Sequence, residues 1–215
     1  MSKYRMYYMQ KDEVKYISHL DFLRTVNRIF KRCRLPLKYS NGFNPHTVMT
    51  IGLPLSVGTT SECDVLDIEF TQNVDTVYLK QILNQNSPRG IEFTKIVNAE
   101  GLKPLSDISS AVYEARFTTD KDIDLELFKN CKCIMIEKKS KRGLNEVNIK
   151  DFIKNISVQS ESGTSHIITL HLNAGNVSNL KPELVLKAIE KFYSTSICDV
   201  FICRKHILFG DNSLV

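Results

Sequence analysis

The sequence predicts an α+β protein built of two ferredoxin-like (βαββαβ) lobes in tandem, the second carrying an insertion. Three observations predict it. The chain has 215 residues, 42% hydrophobic and 25% charged. That balance belongs to a folded globular protein and that length to one large domain or two of about 100 residues. Strand-like and helix-like periodicities follow one another as strand, helix, strand, strand, helix, strand across residues 1–100. The same order returns loosely across 110–215, as an order of elements without a matching residue pattern.

In the first lobe, Tyr4–Gln10 reads as a strand of tyrosines and methionines. A helix runs from Ser18 to about Arg34 and is ended by Leu35-Pro36, because the residue before a proline avoids helical angles. Thr47–Leu53 is a short strand and Pro54–Ser61 a loop around Gly58. Cys63–Phe70 alternates as a strand, with Leu66, Ile68 and Phe70 on one face and Asp67 and Glu69 on a face expected to be solvated. Val74–Leu83 is a helix stopped by Asn86-Ser-Pro-Arg-Gly90, and Ile91–Asn98 closes the lobe as a strand. Glu100–Ser109, with Gly101 and Pro104, is the expected linker.

The second lobe reads as strand Ala111–Thr118, helix Asp124–Asn130, strand Cys133–Lys138 and a basic turn Lys139–Gly143. An insertion is expected around 145–160, packed down by Phe152, Ile153 and Ile156. Strand His166–Leu172, helix Lys181–Tyr193 and strand Val200–Phe209 complete it; Pro182 sits in the first helical turn, where proline is tolerated.

Composition narrows function. No run approaches the roughly 18 apolar residues of a membrane span, and the Met-Ser-Lys-Tyr-Arg start reads as a strand rather than a signal peptide. A cytoplasmic location is expected, with the six cysteines as reduced thiols. No CxxC pair exists, and no CxxxCxxC run of the kind that holds a radical-SAM cluster, so no cofactor is expected in this chain. Cys131-Lys-Cys133 reads as strand packing, and Glu62, Asp64, Asp67 and Glu69 as a solvated strand face in preference to a magnesium site.

Charge is uneven. Residues 1–50 hold ten Lys/Arg against three Asp/Glu, a net +7, which leaves −2 for the other 165 residues. Such asymmetry points to a polyanionic partner for the N-terminal part. On the helix from Ser18, a 100° turn per residue gathers Phe22, Leu23, Val26, Ile29, Phe30 and Cys33 in one sector and Arg24, Arg28, Lys31 and Arg32 in the opposite one. Four cations within three turns repel one another, and a bridging phosphate backbone relieves that repulsion. Ser18-x-x-Asp21 is a capping-box pattern, with Asp21 expected to reach back to the cap amide or to orient Arg24 or Arg28. His19 lies in the first turn, where exposed amides favour an anion.

Tyr39-Ser-Asn-Gly-Phe-Asn-Pro-His46 is a stiff loop: Asn41-Gly42 tolerates positive φ, Asn44 can form an Asx turn and Pro45 fixes the exit. It presents Phe43, Asn44 and His46, and places Tyr39 beside Lys38 and Arg34, a mixture suited to stacking on unpaired bases; the competing expectation buries Phe43 in the core. Pro54–Glu62, a glycine followed by hydroxyls, could cradle an anion but lacks the lysine and spacing of a P-loop.

Lys15-Tyr-Ile-Ser-His-Leu-Asp-Phe-Leu-Arg24, Leu35-Pro36, Tyr39–His46, Leu53-Pro-Leu-Ser-Val-Gly58, Ser61-Glu62 and Asp67-Ile-Glu69 together resemble a bacterial family of unknown function linked to radical-SAM proteins. Leu180-Lys-Pro-Glu183 and Arg204 resemble its C-terminal half, so the likeness covers nearly the whole chain. Thr47, where a second proline is usual, and Cys63 depart from the pattern. The resemblance implies a partner, a radical-SAM protein with a cobalamin-binding-type domain, fused to or encoded beside the family, often near genes of RNA metabolism. It implies no activity.

Three functions are therefore weighed. The first is an RNA-binding accessory of a separate radical-SAM enzyme, contacting its ligand through His19, Arg24, Arg28, Lys31, Arg32, Lys38, Tyr39, Phe43, Asn44 and His46. The second is a docking protein for that enzyme without RNA contact. The third is a metal-independent RNA-processing enzyme with His19 and His46 as base and acid.

Overall fold

The structure is a computed structural model that describes residues 2–140 and 143–215. It is mixed α and β, and the chain divides into two compact units, residues 1–108 with the terminal Val215, and residues 109–214. No helix among the described residues is long and apolar enough to cross a membrane.

The first unit follows the expected order: β1 (Ser2–Gln10), α1 (His19–Arg32), β2 (Met49–Ile51), β3 (Thr59–Phe70), α2 (Thr76–Asn86) and β4 (Ile91–Asn98). Its strands lie in the order β4-β1-β3-β2, and each neighbouring pair is antiparallel. This is the split βαβ arrangement, in which each helix crosses over one intervening strand. The register places Tyr4 opposite Ile68 and Met6 opposite Leu66, and Ile51 opposite Leu66 from the other side. The apolar stripe of α1 lands on that surface: Phe22, Val26, Ile29 and Phe30 are buried, with Tyr8 stacked on Phe22 at 5.3 Å and Phe30 tilted against Phe93 at 6.5 Å. Burial of each such side chain stabilises the unit by about 1.5–3 kcal/mol. Asn84 fastens α2 to β4, its amide donating to the Phe93 carbonyl and accepting from the Phe93 N–H.

Two expectations for this unit are corrected. The second face of β3 is covered: Val65 and Asp67 are buried. Asp67 receives a two-pronged bond from the buried Arg5 at 2.7 and 3.1 Å and an ion pair from Lys3 at 3.0 Å. Asp64 accepts from Gln10 and Ser61, and Glu69 pairs with Lys38. Asp64, Asp67 and Glu69 are thus individually consumed, and no metal-ligating cluster occurs among the described residues. The supposed linker supplies part of the cover. Leu105 and Ile108 are buried, a Cβ on Gly52 would stand 2.9 Å from Ile108 Cδ1, and the Lys103 carbonyl accepts from Arg5.

The second unit contains β5 (Ile108–Thr119), α3 (Leu125–Lys129), β6 (Met135–Ser140), β7 (Gly143–Asn148), β8 (Ile153–Ser162), β9 (Ser165–Asn173), α4 (Pro182–Tyr193) and β10 (Ile197–Phe209). Its strands run β10-β5-β9-β8, the same order as the first unit with β8 in the place of β2. The expected second core strand, Cys133–Lys138, instead forms β6 of a separate two-stranded hairpin with β7. The segment expected as the insertion contributes β8, paired with β9. Register shifts after Ile153 and Val158 explain the exchange, because each bulge changes the phase of in/out alternation. Lys141 and Arg142 of the expected basic turn lie outside the described residues.

Candidate functional site

Helix α1 begins at a capped end. Ser18 Oγ accepts from the Asp21 N–H at 3.2 Å and donates to Asp21 Oδ2 at 2.8 Å. Asp21 therefore holds the cap hydroxyl, where the capping box places it on the cap amide, and its other oxygen accepts from Arg24 at 2.9 Å. The Ser18 hydrogen bond, and then the Arg24 guanidinium, hold the Asp21 carboxyl below its usual range.

From that fixed start the helix aims one stripe of side chains at the following loop. Arg24, Asn27, Arg28 and Lys31 stand at i, i+3, i+4 and i+7, neighbours on one helix face. They line an open cleft of about 450 Å³ whose other wall is Tyr39, Pro45, His46 and Thr47. Arg28 and Lys31 have no ion-pair partner among the described residues.

The loop wall is closed on itself. The Ser40 N–H donates to the His46 carbonyl at 2.8 Å, and the His46 N–H donates to Ser40 Oγ at 3.1 Å. Ser40 Oγ also lies 2.9 Å from His46 Nδ1, which leaves Nε2 as the ring nitrogen available to a ligand. Tyr39 and Thr47 pair as an isolated bridge below this clasp. Gly42 takes the turn at φ +118°, a conformation L side chains rarely adopt, with nothing within 4 Å of the point where a Cβ would stand. Phe43 stands wholly in solvent at the tip, at 112% relative exposure, as the reading of a loop that presents it expects, and the competing burial in the core is excluded.

The structure thus gathers Arg24, Arg28, Lys31, Tyr39 and His46 on one cleft, with Phe43 and Asn44 exposed at the tip of its loop wall. Three other named residues lie elsewhere. Arg32 is rotated about 80° from Arg24 at 100° per residue, and donates to the Asn86 carbonyl at the end of α2, a favourable place for a cation. Lys38 is held by Glu69. His19 lines a second, much tighter cavity with Tyr8, Gln10, Lys15, Ser18 and Ser56. In the glycine loop the Gly58 N–H donates to the Lys15 carbonyl at 2.7 Å and Thr59 and Thr60 are buried, so this loop anchors the α1 entry and offers no anion cradle from those groups. Asn27, Pro45 and Thr47 were not among the expected contacts. The i, i+3, i+4, i+7 spacing around Arg24 could have revealed Asn27; nothing local marks Thr47, which is brought in by its bridge to Tyr39.

Fold and cleft define an α+β protein of two split βαβ units, the first presenting a cation-lined helix to a stiff aromatic loop. The chain belongs to DUF2344, a family of uncharacterized proteins conserved in bacteria, whose model matches residues 3–182. No curated protein matches it in sequence. Among solved structures, it is similar to an unknown protein from Galdieria sulphuraria at 9% identity, over 93% of this chain and 96% of that one, with a TM-score of 0.28.

Proposed function

We propose that this protein binds RNA through the cleft between α1 and the loop 39–47, as a cytoplasmic accessory to a separate radical-SAM enzyme. The observation that carries the reading is the meeting of Arg24, Arg28 and Lys31 with Tyr39 and His46 across one open cleft. Arg28 and Lys31, without ion-pair partners among the described residues, are available to phosphates, and Arg24, which gives one N–H to Asp21 at 2.9 Å, keeps further donors for a third; each phosphate neutralised releases a counterion. Exposed rings beside them suit bases, which have π-faces whatever their sequence. The radical-SAM partner rests on the family resemblance of the N-terminal motifs. Because His19 and His46 line different cavities, the reading is one of binding and not of paired acid–base cleavage.

Fluorescence anisotropy with cellular RNA fragments across a salt series tests it. Three phosphate contacts predict that log K falls with log salt at a slope of about −2. An absence of affinity at low salt, or an affinity indifferent to salt, removes the reading. The partner is tested separately by co-purification with nuclease present: retention of a radical-SAM protein supports the accessory role, and its absence removes that part alone.

A further inference from the structure

We infer that the cleft takes an unpaired stretch of a single strand, with its phosphates along α1 and its bases stacked on Tyr39 and Phe43; this rests on the RNA-binding reading above. The two walls differ in chemistry in the way the two sides of a nucleotide do. Arg24, Arg28 and Lys31 cover about 10 Å of helix axis at 1.5 Å per residue. A stacked strand advances about 3.4 Å per nucleotide, so this length meets about three phosphates. The opposite wall carries Tyr39, 43% exposed.

Size and stiffness narrow the occupant further. A cleft of about 450 Å³ falls in the range of about 300–1,000 Å³ usual for small-ligand sites. The cleft is open, and its two walls, α1 and the loop 39–47, can flank a single strand laid along the helix. The loop stands beside the charged helix face, so α1 cannot lie alone in a groove, and the deep, narrow major groove of duplex RNA is closed to side chains in any case. A duplex also keeps its base faces covered, leaving Phe43 and Tyr39 nothing to stack on. Phe43 cannot simply fold inward, because the Ser40–His46 clasp and the positive φ of Gly42 hold the turn open. A fully exposed aromatic on a braced turn loses its contact with water when a base covers it.

The test is anisotropy with fluorescein-labelled oligouridine and with a blunt RNA duplex of the same length. The single strand is expected to bind at least about ten-fold more tightly. Tyr39→Ala and Phe43→Ala each weaken it by about five- to a hundred-fold with the salt slope unchanged, while Tyr39→Phe retains it. Arg28→Ala instead flattens the slope by about 0.7. Circular dichroism confirms that each variant folds; Phe43 is fully exposed, so its replacement leaves the core intact. Equal or tighter duplex binding, or alanine variants that bind like the parent, overturns the inference while RNA binding stands. Failure to bind either form overturns the RNA-binding reading and this inference with it.

Discussion

The two units share one topology and differ in what hangs between the first helix and the second core strand. In the first unit that connection, residues 33–48, is folded against α1 and makes the wall of the cleft. In the second, residues 130–152 contain the β6–β7 hairpin. The helices differ in the same sense. α1 runs 14 residues and carries a stripe of cations of which two have no ion-pair partner among the described residues. α3 runs five residues, and its Lys129 pairs with Glu126 at 3.0 Å. One scaffold thus leaves two cations of its first helix without ion-pair partners among the described residues in one unit, and pairs the last-turn lysine of its first helix in the other.

Equivalent substitutions in the two units probe that contrast. Phe30, against Phe93 of β4, and Phe128, edge-on to Phe192 of α4, are buried aromatics of the first helix in each unit. Phe30→Ala and Phe128→Ala are each expected to cost roughly 3–5 kcal/mol in urea unfolding, but only the former reaches RNA binding. Equal loss of binding from both would erase the distinction between the units. Next in size, Arg28→Ala with Lys31→Ala should weaken RNA binding by at least about ten-fold at low salt, with thermal stability nearly unchanged. Removing the α3 pair by Glu126→Gln with Lys129→Ala should leave binding unaltered and shift stability by no more than about 0.5 kcal/mol.

The helix caps give a smaller effect. Ser18→Ala and Asp124→Ala, each removing a side chain that accepts from a first-turn amide, should each cost about 1 kcal/mol. The first also frees Asp21 from its main partner, so an NMR titration should find the Asp21 carboxyl moving up toward 3.8.

The pH responses are the smallest and act in different windows. Asp21 is lowered by the Ser18 bond and then by Arg24. Its contribution is present above about pH 4 and is lost as pH falls through the lower, folded-state value. His171 is lowered by burial and then by the Lys154 charge, with Nε2 at 3.0 Å from Ser110 Oγ. Burial disfavours its charged form, so the second unit should lose stability as pH falls below 6.5 toward the folded-state value. A shallower loss of stability between pH 7 and 5 in His171→Gln than in the parent is the expected comparison.

Much of the first unit was legible because its signals are local. The apolar stripe of α1, Leu35-Pro36 and the Leu66-Ile68-Phe70 alternation each depend on neighbours along the chain. The cleft was legible in part. The 3.6-residue period grouped Arg24, Arg28 and Lys31, but it also admitted Arg32, whose destination at Asn86 is set by where α2 ends. Lys38 gave no sign of Glu69, 31 residues away. The solvated face assigned to β3 failed for the same reason, since Arg5 and residues 103–108 arrive from distant sequence. In the second unit, β8 was hidden by its bulges, and an isolated apolar run at 134–136 took its place in the expected order.

The most direct test of the cleft is ultraviolet crosslinking of the full chain to 5-iodouridine-containing single-stranded RNA, with the attached peptides mapped by mass spectrometry. The segment Lys138-Lys-Ser-Lys-Arg142 offers a competing basic stretch in the second half of the sequence. Crosslinks at Tyr39 and Phe43, abolished by Arg28→Ala with Lys31→Ala, are the predicted result. Crosslinks confined to the 138–142 segment, and indifferent to those two substitutions, would contradict the account.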